Sequence, residues 1–324
     1  MACPRTIARI IETCLEDNPC EVDVRYNESM AGHSSFKVGG PADCWIRPSG
    51  DGFPGFTASL LAAARREGAA VFILGGGANI LVADAGIEGI ALDTGGWVGK
   101  ADGSGMWFRS GTSLDAAAEI AADEGFSGLE FLAGMPGTIG GAVYMNARCY
   151  GYETSDVLFE TDLIDFSEAT PIRQSLLTNK DKFGYKRSPY QNRSLFILSA
   201  SFSLTAKDRA QIRAEMDSYR KDRENKGHYR FPSAGSVFKN NHDFGASTGK
   251  IIGDLGLRGL SIGGAQVAPW HGNIIINTGG AKAADIRALT EEVAVRVKAA
   301  TGFVLEPEIL FVGRWQTDQK DMKS

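Results

Sequence analysis

An α+β fold of two or three domains, built on many tight turns, is what the sequence predicts, on three observations. The chain has 324 residues, 43% hydrophobic and 23% charged, which is ordinary globular composition with enough length for more than one sizeable core. Its 40 glycines follow no collagen-like period, so they mark turns and places where backbone comes close to something else. Runs with helical spacing alternate with short β-branched and aromatic runs along the chain.

The first 18 residues, MACPRTIARIIETCLEDN, put Ile7, Ile10, Ile11 and Leu15 at helical spacing, interrupted by Arg5, Arg9, Glu12 and Glu16. That pattern is an amphipathic helix and lacks the unbroken apolar core of a signal peptide. A turn-rich stretch then leads to SSFKVGGPADCWIRP (34–48), which reads as strand, Gly39-Gly40-Pro41 turn, strand. A helix over 56–68 is stopped by Gly68, and strands follow at 71–74 and 79–83 on either side of three glycines. The run 111–125 reads as a helix with Ser113 or Thr112 as N-cap and Gly125 beyond its end. Residues 128–151 read as a long loop with short helical turns. Residues 156–166 and 194–204 read as long antiparallel strands flanking a loop with FGYKRSPYQ. The charged helix 206–227 is the natural seam. It predicts a module over 1–205 followed by a C-terminal domain over 206–324. In that last domain the pattern gives a serine–glycine loop at 233–237, helices at 248–255 and 285–300, and strands at 265–268, 273–277 and 303–312.

Several function classes are disfavoured. The net charge of −5 does not supply the basic field of a nucleic-acid binder. No stretch approaches 18 consecutive apolar residues, so nothing is expected to span a membrane, and a soluble, cytoplasmic monomer is expected. The five cysteines (Cys3, Cys14, Cys20, Cys44, Cys149) contain no C-x-x-C and read as free thiols of a reducing compartment. The four histidines form no H-E-x-x-H, and no metal site is expected.

The stretch VFILGGGANILVADAGIEGIAL (71–92) raises the question of a phosphate site. A dinucleotide-binding fingerprint needs G-x-G-x-x-G between strand and helix, yet the text after Gly75-Gly76-Gly77-Ala78-Asn79 is another β-type run. A P-loop needs Gly-Lys-Ser/Thr after four spacers, which is absent. What remains is either an anion nest of free N–H groups between two strands or a plain glycine hairpin. A second element, GLEFLAGMPGTIGGAVYMNA (128–147), places Gly134, Gly137, Gly140 and Gly141 around Pro136 and Thr138. Two such elements suit backbone wrapped around a flat ligand with a diphosphate.

Five segments, SSFKVGGPAD, LGGGANILVAD, GLEFLAGMPGTIGGAVYMNA, PSAGSVFKN and LEPEIL, stand in the order found in UDP-N-acetylenolpyruvoylglucosamine reductases. The chain resembles that family of peptidoglycan-precursor flavoenzymes from about Ser34 to Gly313. It is similar to the shorter subgroup, since Tyr185 to Ser236 shows no inserted tyrosine-bearing loop. The resemblance implies an FAD-binding PCMH/VAO-type (vanillyl-alcohol-oxidase) module of two subdomains, about 1–100 and 101–205, then an α+β substrate-binding domain. It implies non-covalent FAD, NADPH as hydride donor and a UDP-linked enolpyruvyl amino sugar as substrate. Cofactor contacts are implied for Gly75, Gly76, Gly77, Ala78, Asn79 and Ile80, and for Gly134, Met135, Pro136, Gly137, Thr138, Gly140, Gly141 and Ala142.

By the same resemblance Ser236 is the general acid and Glu308 stabilises or protonates the intermediate. Lys186, standing where the family has arginine in F-G-Y-R-x-S, steadies the enolate. Tyr185, Arg223, Lys239, Asn240, Lys250, Gln266, His271 and Asn273 are implied as substrate-binding. By residue type alone other fates stay open: a turn serine for Ser236, a strand-edge carboxylate for Glu308, a solvated charge for Arg223 and a capping or core histidine for His271. The chain departs from the family pattern at Lys186, at Arg148 (glycine there), at Gly227-His228 (Gln-Pro there) and at Asn241 (proline there). An FAD oxidase or dehydrogenase of the same fold, or a non-catalytic relative, are the competing readings.

Overall fold

The structure, a computed structural model, describes residues 4–100 and 105–315. It divides into two compact units, each assembled from separated segments. The first unit takes Met1–Tyr26, Cys44–Gly76 and Gly89–Asn225; the second takes Asn27–Asp43, Gly77–Glu88 and Lys226–Ser324.

The first unit holds two cores. In one, helices α1 (Pro4–Asp17) and α2 (Phe53–Arg66) bury Ile7, Ile10, Ile11, Phe53, Phe56 and Leu60 together. They lie with a four-stranded sheet in the order Glu21–Ser29, Pro41–Ser49, Ile87–Asp93, Val71–Leu74. Val71–Leu74 runs parallel to its neighbour, Val71 opposite Ile90. The strand Glu21–Ser29 lies in the stretch read as turns. Its text, EVDVRYNES, alternates Val22, Val24 and Tyr26 with polar residues, a strand period that the turn reading overlooked, and Val22 and Val24 pack against this core.

The other core lies against a sheet ordered Ile172–Leu177, Leu158–Asp165, Leu195–Phe202, Met106–Arg109, with antiparallel pairing throughout. Helices α3 (Leu114–Glu124), α4 (Ile139–Met145), α5 (Thr154–Val157) and α6 (Arg209–Asn225) accompany it. The expected caps of α3 are present: Ser113 Oγ accepts from Ala116 N at 3.1 Å, and Gly125 follows at φ 78°. The strands 158–165 and 195–202 pair as expected, with Leu163 opposite Ile197. Helix α6 does not open the C-terminal unit, as its charge and position in the sequence suggested. It belongs to the first unit, burying Ile212, Met216 and Arg223, and its arginines reach acidic side chains of α3. The seam therefore falls after Asn225 and not at 206, and two early segments join the C-terminal part.

The second unit contains α7 (Thr248–Asp254), α8 (Ala283–Thr301) and a three-stranded sheet of Ser261–Ile262, Ala265–Val267 and Ile275–Asn277. Its core includes Phe36, Val38, Leu81, Val237, Phe238, Ile252, Ile275, Ile286 and Leu289. Asp84 caps α8 from far away in sequence, accepting from Ala283 N at 2.8 Å and Ala284 N at 2.9 Å. Residues 34–38 are not the expected strand. Phe36 is buried by a tight turn in which Lys37 takes φ 56°, and only Pro41–Ser49 is extended. The final strand is confined to Leu310–Val312, parallel to Ile80–Val82; Pro307 before it makes a single bridge to Phe238.

Among the described residues no helix is long and apolar enough to cross a membrane, and no cluster of His, Cys, Asp or Glu could hold a metal ion. Cys14, Cys20, Cys44 and Cys149 are thiols in no disulfide; Cys3 lies outside the described residues.

Candidate active site

In the first unit the two glycine-rich elements meet. A Cβ at Gly75 would stand 2.7 Å from Thr138 Oγ1, and one at Gly76 would stand 2.9 Å from Gly137 Cα. At Gly76 backbone packs on backbone, and at Gly75 on the Thr138 hydroxyl, at distances that a side chain would forbid. Thr138 is the N-cap of α4, a two-turn helix inside the stretch expected to be mostly loop. Gly140 donates its N–H to the Ser110 carbonyl at 2.8 Å, and a Cβ there would meet Ser110 Cβ at 2.9 Å. Gly134 N donates to Asp115 at 2.7 Å, and Met135 N to the Leu132 carbonyl at 2.9 Å. Pro136 and Gly141 are exposed, while Ala142 is buried.

The far end of α4 holds the turn that carries Lys186. Ser188 Oγ donates to the Tyr144 carbonyl at 2.7 Å and Asn146 Nδ2 to the Gly184 carbonyl at 3.0 Å. Gly184 and Arg187 exchange backbone hydrogen bonds at 3.1 and 3.0 Å, and Lys186 sits at φ 57°. The segment is thus a tight turn and not an extended strand. Lys186 is half-buried, with its carbonyl accepting from Gln191 Nε2 at 3.2 Å, whereas Arg187 is exposed. Arg148, at a position the family pattern gives to glycine, lies with its guanidinium 5.6 Å from the centre of the Tyr185 ring.

Arg223 is buried at 6% exposure, which rules out the solvated-charge alternative. Its Nη2 donates to Cys149 Sγ at 3.0 Å, its guanidinium lies 5.5 Å from the Tyr150 ring, and its Nε is buried without a partner. Tyr150 donates to Asp222 at 2.9 Å; burial, with that hydrogen bond behind it, pushes the phenol well above its ordinary range.

In the second unit Gly77 takes φ 61°, and a Cβ there would stand 2.0 Å from the His33 carbonyl oxygen. Ser35 N donates to the Gly77 carbonyl at 3.0 Å. Ala78 and Asn79 follow; the Asn79 amide donates to the Glu308 carbonyl at 3.0 Å, and Ile80 pairs with Leu310. Glu308 N donates to the Val237 carbonyl at 2.7 Å, and Ser236 bridges Ile274 on its other side. Asn79, Ser236 and Glu308, widely separated in sequence, are therefore held by one backbone network.

Asn273 is the tie of that network rather than an open substrate group. Its Oδ1 accepts from Phe238 N at 2.9 Å, its Nδ2 donates to the Phe238 carbonyl at 2.8 Å, and it is 3% exposed. His271 Nδ1 accepts from Asn273 N at 3.2 Å. Burial, then the charges of Arg258 and Lys226, lower its pKa, so the ring is neutral at pH 7. Lys239 pairs with Glu306, and Asn240 Oδ1 accepts from Thr248 N at 2.9 Å. Two expected substrate groups are engaged elsewhere: Lys250 with Asp254 at 2.7 Å on the surface of α7, and Gln266 with the Gly259 carbonyl at 3.2 Å.

The chain matches the FAD binding domain family over residues 57–173 and the C-terminal domain of UDP-N-acetylenolpyruvoylglucosamine reductase over residues 227–312. It is 38% identical over 319 residues to the UDP-N-acetylenolpyruvoylglucosamine reductase of Treponema denticola, covering 91% of this chain and 95% of that one. The chain belongs to the UDP-N-acetylenolpyruvoylglucosamine reductase family. The reductase of Caldanaerobacter subterraneus is 37% identical, with 95% and 99% of the two chains covered. The crystal structure of the Thermus caldophilus reductase superposes with a TM-score of 0.73 at 29% identity, over 90% of this chain and 99% of that chain.

Residues outside the expected set also fit the cofactor of this reductase family. Ser110, buried beside Gly140, has an Oγ with no partner; so do Ser34 and Ser35, next to Gly77 in the second unit. Buried hydroxyls are normally satisfied, and those left open beside the glycines of each unit fit phosphate oxygens of FAD. Ser34 and Ser35 open the quoted segment SSFKVGGPAD, so the motif was legible although their hydroxyls were not. Ser110 carried no signal, being one serine in an ordinary helix approach.

Proposed function

We propose that the protein catalyses NADPH-dependent, FAD-mediated reduction of UDP-N-acetylenolpyruvoylglucosamine to UDP-N-acetylmuramate, in the cytoplasm. The observation that carries the reading is the backbone pairing of Glu308 with Val237, the residue next to Ser236, in a chain of this family. The glycine cradle supports cofactor binding through Gly75, Gly76, Gly137 and Thr138 in the first unit and through Gly77 to Ile80 in the second. Bound FAD supplies the two-electron store that takes hydride from NADPH and passes it to the enolpyruvyl double bond.

Hydride addition at one carbon of that bond leaves an enolate, which needs a positive charge nearby and a proton at the other carbon. Lys186 supplies the charge; a preorganised cation is worth most where water is excluded. Ser236 gives its hydroxyl proton to carbon, and Glu308 stabilises or re-protonates the site. Tyr185, Arg223, Lys239 and Asn240 contact the substrate, Arg223 being suited to phosphate oxygens by its planar fork. Asn273 and His271 support it indirectly by holding the Ser236 loop.

The test is anaerobic. Wild-type protein reduced with NADPH is expected to reoxidise when the enolpyruvyl sugar is added. Ser236→Ala is expected to be reduced by NADPH at a near-normal rate but to pass electrons to the sugar ~10²–10⁴-fold more slowly. Wild-type turnover by the alanine variant would remove Ser236 from the chemistry, and a defect confined to NADPH oxidation would make it a cofactor-side residue.

A further inference from the structure

Directly before the Ser236 loop, the segment 227–232 presents aromatic side chains that the reaction as described does not use. Tyr229 and Phe231 are 54% and 41% exposed, large fractions for rings of that size. Phe231 stacks on Trp270, ring centres 6.1 Å apart and planes 24° apart, and the Arg230 guanidinium lies 5.1 Å from the indole centre. Trp270 precedes His271 and stands three positions before Asn273, the residue that ties the Ser236 loop. Pro232 accepts from Asn277 N at 2.9 Å, so the aromatic segment and the loop share one backbone frame.

The departure at Gly227 acquires a physical reason in this arrangement. Gly227 takes φ 74°, and a Cβ there would stand 2.6 Å from Trp270 Nε1. Any larger residue would have to displace the indole, so glycine at 227 and tryptophan at 270 go together. One cation lies on the ring pair itself: the Arg230 guanidinium over the indole. Stacked aromatics with a guanidinium beside them are the chemistry that recognises a planar base joined to a diphosphate.

We propose that Trp270, backed by Phe231 and Arg230 and seated against Gly227, is the stacking surface for the planar base of a diphosphate-linked nucleotide bound by this unit. The proposal rests on the reductase reading, which supplies two such nucleotides: the uridine of the substrate and the bases of NADPH. Stacking on Trp270 acts on affinity and leaves the chemical step alone.

The experiment uses FAD-loaded protein, wild type, Trp270→Ala and Trp270→Phe, titrated calorimetrically with UDP and with inorganic diphosphate. Trp270→Ala is expected to weaken UDP by between about 5-fold and about 150-fold while leaving diphosphate unchanged. Trp270→Phe is expected to keep most of the UDP affinity, which separates lost stacking from a disturbed fold. If the surface serves the pyridine nucleotide, UDP affinity stays and the KM for NADPH in flavin reduction rises instead, with kcat unchanged. Unchanged UDP affinity together with an unchanged KM for NADPH overturns the proposal, and so does an equal loss of UDP and diphosphate. Wild-type protein that binds no UDP overturns the reductase reading itself, an outcome distinct from a null effect of the alanine.

Discussion

Lys186 is a lysine in a left-handed backbone conformation at the third position of a four-residue turn. A non-glycine residue there is strained by ~1–2 kcal/mol, and such strain gathers where a side chain must be aimed. Extended alternation would have separated Lys186 from Arg187 by face; the turn separates them by burial, Lys186 half-covered and Arg187 out in solvent. Lys186→Ala is therefore expected to slow substrate reduction ~10²–10³-fold, by analogy with loss of one oxyanion-site donor, and Arg187→Ala to change it little. Lys186→Arg should keep measurable activity, although a planar fork is not equivalent to a point charge. Lys186→Gly separates charge from strain: higher thermal stability with activity as low as the alanine variant is the expected pair of results. An inactive Arg187→Ala beside a near-normal Lys186→Ala would transfer the role to Arg187.

The pairing of α3 with α6 shows how charge on an element can mislead. Read as sequence, α6 is a solvated, highly charged helix and hence a boundary. In the structure Arg220 reaches Asp115 at 2.7 Å and also Glu119, and Arg213 bonds Glu119 at 3.0 Å. The partner charges lie about 100 positions earlier in the chain, beyond any local period. Burial raises the Asp115 pKa, but the Arg220 hydrogen bond, the Gly134 N–H and the Arg220 charge outweigh it and hold the carboxyl below its ordinary value of 3.8. Stability from a depressed carboxylate is present above the unfolded pKa and is lost as pH falls through the folded one. Arg220→Ala should thus move acid unfolding to higher pH. Near neutrality it should cost ~1 kcal/mol or less, since these groups are partly exposed. Urea melts at pH 7 and pH 3.5 would check this: a wild-type advantage equal at both pH values would sink the assignment. Because Asp115 also accepts from Gly134 N, the variant should release flavin more readily in acid.

At the scale of the whole molecule, purified protein is expected to be yellow, with all flavin appearing in the supernatant after heat or acid precipitation. FMN should substitute poorly, lacking the diphosphate and adenosine that the glycine elements would hold. Colourless, folded protein that takes up no FAD on incubation would defeat the cofactor assignment, and flavin pelleting with the chain would mean a covalent tether. Much of this was legible in the sequence, because glycines needed for close approach leave their mark in the text. Gly75, Gly76 and Gly137 are such marks, and the helices 114–124 and 283–301 carry clear periods. What was not legible depends on partners distant in the chain. Asn273 turns both ends of its amide to Phe238, and the units are stitched from separated segments. That stitching has a consequence for synthesis. Ile80, Leu81 and Val82 are buried in the finished protein, and their strand partner Leu310–Val312 leaves the ribosome long after them. Asn79 waits for Glu308 across 229 positions, and Phe36 for Asn277 across 241. Most of the nascent chain emerges while these apolar segments have nothing to cover them, a state prone to mispairing with neighbouring polypeptides. The second unit cannot complete this pairing until Leu310–Val312 has emerged, and a premature stop anywhere before Leu310 leaves a bare, sticky strand.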